Sequence, residues 1–346
     1  MKRIPVAAFS LALLFSTSVI AEDGPPETAA PRPPGPFVLD GEAFTANNPT
    51  IRALVVTRGD CVISEYYRPG SSANETAPVW SITKSVLSIL VGIAADEGYL
   101  RLDETLADLA PDAFDSDVDP LARTISVRDL LTMTSGLSGQ PKPEVPTHDA
   151  WRWMLSRSVS YTPGSHFNYD DVAANLLSAL LSRAIKQDAG TFAREKLFRP
   201  LGIERYVWTA DYEGNLLGGA GLFMTARDMA KIGLLYLRGG RWGDMQIVSE
   251  RYVLESTQKQ SAGGTPVKAA YGYLWWVKKS GTGEDAFFAA GHLSQLIYVA
   301  PKRDVVVAIS AGGIPGGSSR FTDEVVMPAE ANLPKSTPCI AHLLQN

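Results

Sequence analysis

Val79-Trp80-Ser81-Ile82-Thr83-Lys84-Ser85-Val86-Leu87 is the stretch on which the fold turns. From Ile82 to Ala95 nearly every position is apolar, including Val86, Leu87, Ile89, Leu90, Val91 and Ile93. A helix that is apolar on almost all sides is buried inside a domain, so a central helix is expected here. Ser81 stands at its N-cap or in its first turn. Residues three apart share a helix face, with Cβ atoms about 5–6 Å apart, which brings Lys84 within reach of the Ser81 hydroxyl. A serine hydroxyl is a weak nucleophile at neutral pH and needs an adjacent base. A lysine at the mouth of an apolar helix loses hydration, which lowers its pKa and lets it accept a proton. The free N–H groups and positive dipole end of a helix N-terminus suit a developing oxyanion. A capping serine followed by a lysine that snorkels to solvent is the purely structural alternative.

Upstream of this helix, Ile51–Val56 and Cys61–Tyr67 are β-rich and flank Arg58-Gly59-Asp60, which reads as a hairpin. The tripeptide resembles a cell-adhesion motif, but a tight turn explains it. Further back, Met1-Lys2-Arg3, an apolar run to Ile20 and Ala21 before Glu22-Asp23 form the pattern of a secretory signal peptide cut after Ala21. The run is marginal in length for a membrane span, and Pro5 and its serines weaken that alternative. The expectation is therefore a secreted or periplasmic protein with no stable membrane insertion after cleavage. Residues 22–36 are proline-rich and expected to be a linker, leaving 37–346 as one catalytic domain.

Composition bounds the partners. The formal charge is -5, and loss of Lys2 and Arg3 takes it to -7, with no basic run to suit a nucleic acid. The four histidines are scattered, and neither zinc spacing nor a phosphate-cradling glycine loop occurs. No metal or other cofactor is expected. Cys61 and Cys339 are the two cysteines. An oxidising compartment would permit a disulfide between them, and two unpaired thiols fit the sequence equally.

Downstream, Ser126 is placed to cap a short helix carrying Leu130, Leu131 and Met133, with Gly136 as its stop. Residues 137–146 form a Gly/Pro/Ser-rich loop, of the kind that shapes specificity. Helices are expected from Val172 to Ile185 and from Met224 to Leu237. The β-rich segments Tyr271–Val277, Ala286–Ala290, Gln295–Val299 and Asp304–Ser310 follow. With the N-terminal hairpin they would build one antiparallel sheet, five-stranded or larger, around a mostly helical lobe at about 100–250. The fold class is α+β.

Three groups of residues then stand in order: Ser81-Ile82-Thr83-Lys84, Tyr169-Asp170-Asp171 after Pro163-Gly164, and Gly291-His292-Leu293-Ser294-Gln295 before a strand. In this the chain resembles the serine β-lactamase and penicillin-binding-protein superfamily, in which Ser-x-x-Lys carries the nucleophile. Thr132–Leu137, Gly219–Asp228 and Gly272–Trp276 add to the likeness, which covers residues 40–310. It is most similar to the class C-like branch of esterases, D-amino-acid peptidases and 6-aminohexanoate-oligomer hydrolases. The resemblance implies a β-lactamase/transpeptidase-like fold, Ser81 as acyl-enzyme nucleophile, Lys84 sharing its proton, and Tyr169 relaying protons to the leaving group. The Lys84 ammonium close by would favour the phenolate of Tyr169. It also implies an oxyanion hole from the backbone N–H groups of Ser81 and Gln295, with Asp171, His292 and Ser294 at the substrate. A core aromatic and a helix N-cap are the alternative readings of Tyr169 and Asp171.

The chain departs from the family pattern twice. Asp171 stands where the second motif usually ends in Asn. His292-Leu293-Ser294 replaces the Lys-Thr-Gly of the β-lactam-recognising enzymes and offers a weaker anion site. The expected activity is therefore an amidase or esterase of the 6-aminohexanoate-hydrolase type acting on a small acyl compound. A D-amino-acid carboxypeptidase or weak β-lactamase comes second, and a non-catalytic binding module third.

Overall fold

The computed structural model describes residues 45, 48–114, 118–138, 150–314, 317–334 and 336–344. The expected signal peptide at 1–21, the linker at 22–36 and most of the loop after Ser138 lie outside the described residues.

Nine strands form one antiparallel sheet: β1 (Ile51–Arg58), β2 (Cys61–Tyr67), β3 (Ser261–Gly264), β4 (Ala269–Tyr271), β5 (Trp276–Lys279), β6 (Asp285–Gly291), β7 (Gln295–Ala300), β8 (Val305–Ala311) and β9 (Ala341–His342). Their spatial order is β3-β4-β5-β6-β7-β8-β1-β2-β9. The middle of the sheet is therefore built from both ends of the chain, with Ile51 beside Ala311 and Arg58 beside Val305. Every residue of β7 and β8 is buried. Such strands are covered on both faces, which explains continuous apolar runs where a half-exposed strand would alternate.

Helix α1 (Ile82–Asp96) packs against β6 and β7, as expected of a central helix. Helices α2 (Val127–Leu131) and α3 (Asp171–Ile185) lie in the segment between β2 and β3, and α3 packs against both α1 and α2. Helix α4 (Ala226–Leu237) lies against β1, β7 and β8. It approaches so closely that a Cβ on Gly233 would fall 2.5 Å from Cγ1 of Val306. Ser126 caps α2 as expected, in a reciprocal capping box with Asp129. The helix ends at Leu131, before Gly136.

One expected strand is corrected. Tyr271–Val277 is two strands, β4 and β5, joined by a bend in which Leu274 has φ 59°. Long-range contacts fix that bend. The Leu274 N–H donates to the Leu131 carbonyl at 2.9 Å, and the Leu274 carbonyl accepts from the Ser85 hydroxyl at 2.6 Å. Gly272 lies against the Ser256 carbonyl, where a Cβ would fall 2.1 Å from the oxygen.

The two cysteines are paired. The Cys61–Cys339 disulfide joins the C-terminal tail to β2, with the Cα atoms 5.5 Å apart. Beside it, β9 pairs with β2, and His342 Nδ1 lies 2.9 Å from the Asp60 carboxylate. The tail so covers an edge strand that would otherwise offer unpaired backbone groups. The bridge spans 278 residues. Cys339→Ser is expected to cost about 2–4 kcal/mol, read as a lower melting temperature that addition of a reductant does not lower further.

Candidate active site

A small sheet of Ala77–Pro78, Leu222–Met224 and Val207–Trp208 carries the chain into α1. The Val79 N–H donates to the Leu222 carbonyl at 2.9 Å. Trp80 then takes φ 52°, an uncommon conformation for a bulky residue. The turn delivers Ser81 to the N-cap position with φ -67° and ψ -6°, and the Ser81 hydroxyl makes no capping bond. Capping is therefore not what this serine does. Lys84 Nζ donates to Ser81 Oγ at 3.0 Å, to Asp171 Oδ1 at 2.5 Å and to the Gly219 carbonyl at 2.6 Å. An ammonium has three donors and no acceptor, and all three are used. Nζ also lies 4.9 Å from the centre of the Tyr169 ring.

These partners overturn one expectation. Burial does push the Lys84 pKa down, but the Tyr169 oxygen and the Asp171 carboxylate outweigh it and hold the lysine above its ordinary 10.5. Lys84 is an ammonium at neutral and mildly alkaline pH, not a ready-made free amine. The snorkelling alternative also fails, because the Lys84 side chain is 1 % exposed.

The second motif is held from below. Asp170, not Asp171, is the N-cap of α3, accepting from the N–H groups of Val172 at 2.8 Å and Ala173 at 3.2 Å. Its other oxygen pairs with Arg157 Nη1 at 2.5 Å in a buried ion pair. This leaves the Asp171 side chain free to turn to Lys84. Tyr169 is half-buried, stacked on Trp276 with ring centres 5.5 Å apart and edge-on to Tyr271 at 6.1 Å. Tyr169 and Asp171 thus meet Lys84, and through it Ser81.

The third motif reaches the same place from the sheet. A Cβ on Gly291 would fall 2.3 Å from the Val79 carbonyl, so the end of β6 presses against the residues leading to Ser81. His292 is exposed, and its ring meets that of Trp80 edge-on at 5.3 Å. Leu293 and Ser294 both have left-handed backbone, with φ 58° and 64°. Ser294 was expected at the substrate, but its side chain is turned inward. It is buried, and its hydroxyl accepts from the Ile314 N–H at 3.2 Å. The Gln295 side chain is likewise committed to the fold, donating to the Ala311 carbonyl at 2.6 Å. That leaves only its backbone as a candidate for the oxyanion.

Two participants were missed by the motifs. Gly219 supplies the third acceptor to Lys84, and Asn175 on α3 accepts from the Gly219 N–H at 2.8 Å, fixing that carbonyl. The Gly218-Gly219 pair is the available signal, since both lie too close to α3 for a side chain. A Cβ on Gly218 would fall 2.3 Å from the Ala174 carbonyl, and one on Gly219 2.8 Å from that of Asp171. Gly219→Ala is expected to push this loop off α3, cost about 1–3 kcal/mol, and weaken activity more than stability. A thermal melt beside a rate measurement checks it.

The sheet, its helices and the meeting of Ser-x-x-Lys with a tyrosine define the fold of the serine β-lactamases and penicillin-binding proteins. The profile of the Beta-lactamase family matches residues 42–326, and the chain belongs to that family, whose members related to it are serine hydrolases. It is 24 % identical over 283 residues to a 6-aminohexanoate-dimer hydrolase of Paenarthrobacter ureafaciens, covering 74 % of this chain and 71 % of that one. It is 26 % identical over 189 residues to the D-alanyl-D-alanine-carboxypeptidase/endopeptidase AmpH of Escherichia coli (strain K12), spanning about half of each, 48 % and 47 %. Among solved structures, the octameric penicillin-binding protein homologue of Pyrococcus abyssi superposes with a TM-score of 0.65 at 18 % identity, over 84 % of this chain and 77 % of that one. Among the described residues no helix is long and apolar enough to cross a membrane.

Proposed function

We propose that the protein is an exported serine hydrolase working through an acyl-enzyme on Ser81, with an amidase or esterase activity of the 6-aminohexanoate-hydrolase type. The observation that carries this reading is the Ser81 hydroxyl, unused as a cap and held 3.0 Å from a lysine whose other two donors are fixed. Ser81 Oγ attacks the acyl carbonyl. Its proton passes to the Tyr169 oxygen as the Tyr169 hydroxyl gives one to the departing alcohol or amine, with the Lys84 ammonium held beside both. Water then enters by the same route and frees the acid. A base relay is needed because the hydroxyl alone is a poor nucleophile. The N–H groups of Ser81 and Gln295 would stabilise the tetrahedral oxyanion, each worth about 10²–10³ in rate.

A D-amino-acid carboxypeptidase or weak β-lactamase is the second reading, supported by the likeness to AmpH. His292-Leu293-Ser294 counts against it, because none of the three offers a lysine to a substrate carboxylate. The test is covalent capture. Mature protein mixed with a slowly deacylating nitrophenyl ester should gain one acyl mass, mapped to the peptide bearing Ser81. An adduct elsewhere, or none with any ester or amide, sinks the reading. An adduct that never hydrolyses on any substrate would favour a binding module instead.

A further inference from the structure

We infer that Asp171 sets the charge preference of this site, favouring acyl substrates that are neutral or bear a cation over those that bear a carboxylate. This rests on the acyl-enzyme reading and adds a substrate class to it. Two hydrogen bonds, of 3.0 and 2.5 Å, link Ser81 Oγ through Lys84 Nζ to Asp171 Oδ1. The Lys84 side chain is 1 % exposed and that of Asp171 is 55 % exposed. The group of the pair that faces solvent beside the nucleophile is therefore the carboxylate, while the ammonium lies behind it.

Lys84 has no donor left for a substrate. Its three protons go to Ser81, Asp171 and Gly219, and turning one toward a ligand carboxylate would break one of those bonds. Its charge is also cancelled at contact distance, whereas an asparagine at position 171 would leave the charge standing. The second oxygen of Asp171 has no hydrogen-bond partner among the described residues. Arg157, the cation on the neighbouring segment, is buried against Asp170 and offers nothing outward. Across the site, residues 292–295 present only an imidazole and a leucine outward, the Ser294 and Gln295 side chains being turned into the fold, and none of the four is a lysine or arginine. Among the described residues set out above, a substrate anion would meet an exposed like charge and no free cation, and a substrate cation would meet an unshared carboxylate oxygen.

The test uses three nitrophenyl esters matched in length: hexanoate, 6-(trimethylammonio)hexanoate and the adipate half-ester. In low salt the wild-type protein should show kcat/KM at least about tenfold higher for the ammonium ester than for the carboxylate ester, with hexanoate between. That ratio should shrink in 0.5 M NaCl, as an exposed charge contact must. Asp171→Asn should bring it toward one or invert it. Equal turnover of the three esters, a ratio indifferent to salt, or a ratio unchanged in the variant overturns the assignment. If Asp171→Asn loses turnover altogether, the wild-type ratio and its salt dependence decide. No turnover of any ester is a different result, and it overturns the acyl-enzyme reading itself.

Discussion

Ser81→Ala is expected to remove hydrolysis of every ester and amide the protein accepts, by about 10⁴–10⁶-fold in kcat. Its melting temperature should fall by no more than a few degrees. Both halves follow from the same geometry. The Ser81 hydroxyl caps no helix, so its loss costs no backbone bond. It takes away one of three acceptors from Lys84, which keeps Asp171 and Gly219. A hydrogen bond involving a charged group is worth about 1.5–3 kcal/mol, which in a domain this size is a shift of a few degrees. Steady-state rates on a panel of short nitrophenyl esters, a linear 6-aminohexanoate dimer, a D-alanyl-D-alanine peptide and a cephalosporin, beside a thermal melt, would measure it. More than a few per cent of wild-type turnover in the variant would mean that the reaction does not pass through Ser81.

Asp170→Ala should do the reverse and act first on stability. Asp170 carries two duties with one carboxylate: it caps α3 through Val172 and Ala173, and it neutralises Arg157. Their side chains are 8 % and 3 % exposed. Truncating one partner of a buried pair strands the other charge, at a cost of about 3–5 kcal/mol. The lost cap adds about 1 kcal/mol. Asp170→Asn keeps an oxygen for the cap but not the charge, so it should fall between the two. Because Tyr169 and Asp171 flank this residue, the surviving folded fraction of Asp170→Ala should also be slow. Denaturant titrations of the three proteins would rank them, and equal midpoints would refute the argument.

What the sequence made legible was whatever local periodicity controls. The spacing of Ser81 and Lys84 on an apolar helix decides their contact, because i and i+3 share a face wherever the helix sits. The buried runs of β7 and β8 likewise announce central strands. Legibility fails where distant chain decides. Nothing within Tyr271–Val277 reveals the bend at Leu274, which Leu131 and Ser85 hold from far away. Gly219 lies 135 residues from the lysine it binds. The choice between Asp170 and Asp171 as cap is a shift of one residue in helix phase, which two adjacent acids cannot signal. The direction of the Lys84 pKa failed for a related reason. Burial can be read from an apolar run, but the countercharges that defeat it come from another part of the chain.

The interleaving of both chain ends in the sheet has a consequence for how the protein comes into being. Strand β1 lies between β2 and β8, so Ile51 waits for Ala311 before its neighbour exists. During synthesis the hairpin of the first fifth of the chain emerges with one long side open, and every later segment up to β8 must be made before that side closes. Contacts of such sequence separation form slowly, because the loop between them must be closed first. The last edge is shut still later, when the tail bearing Cys339 reaches Cys61. A nascent or truncated chain ending before β8 would therefore keep one side of β1 unpaired, an open strand edge of the kind that recruits other chains.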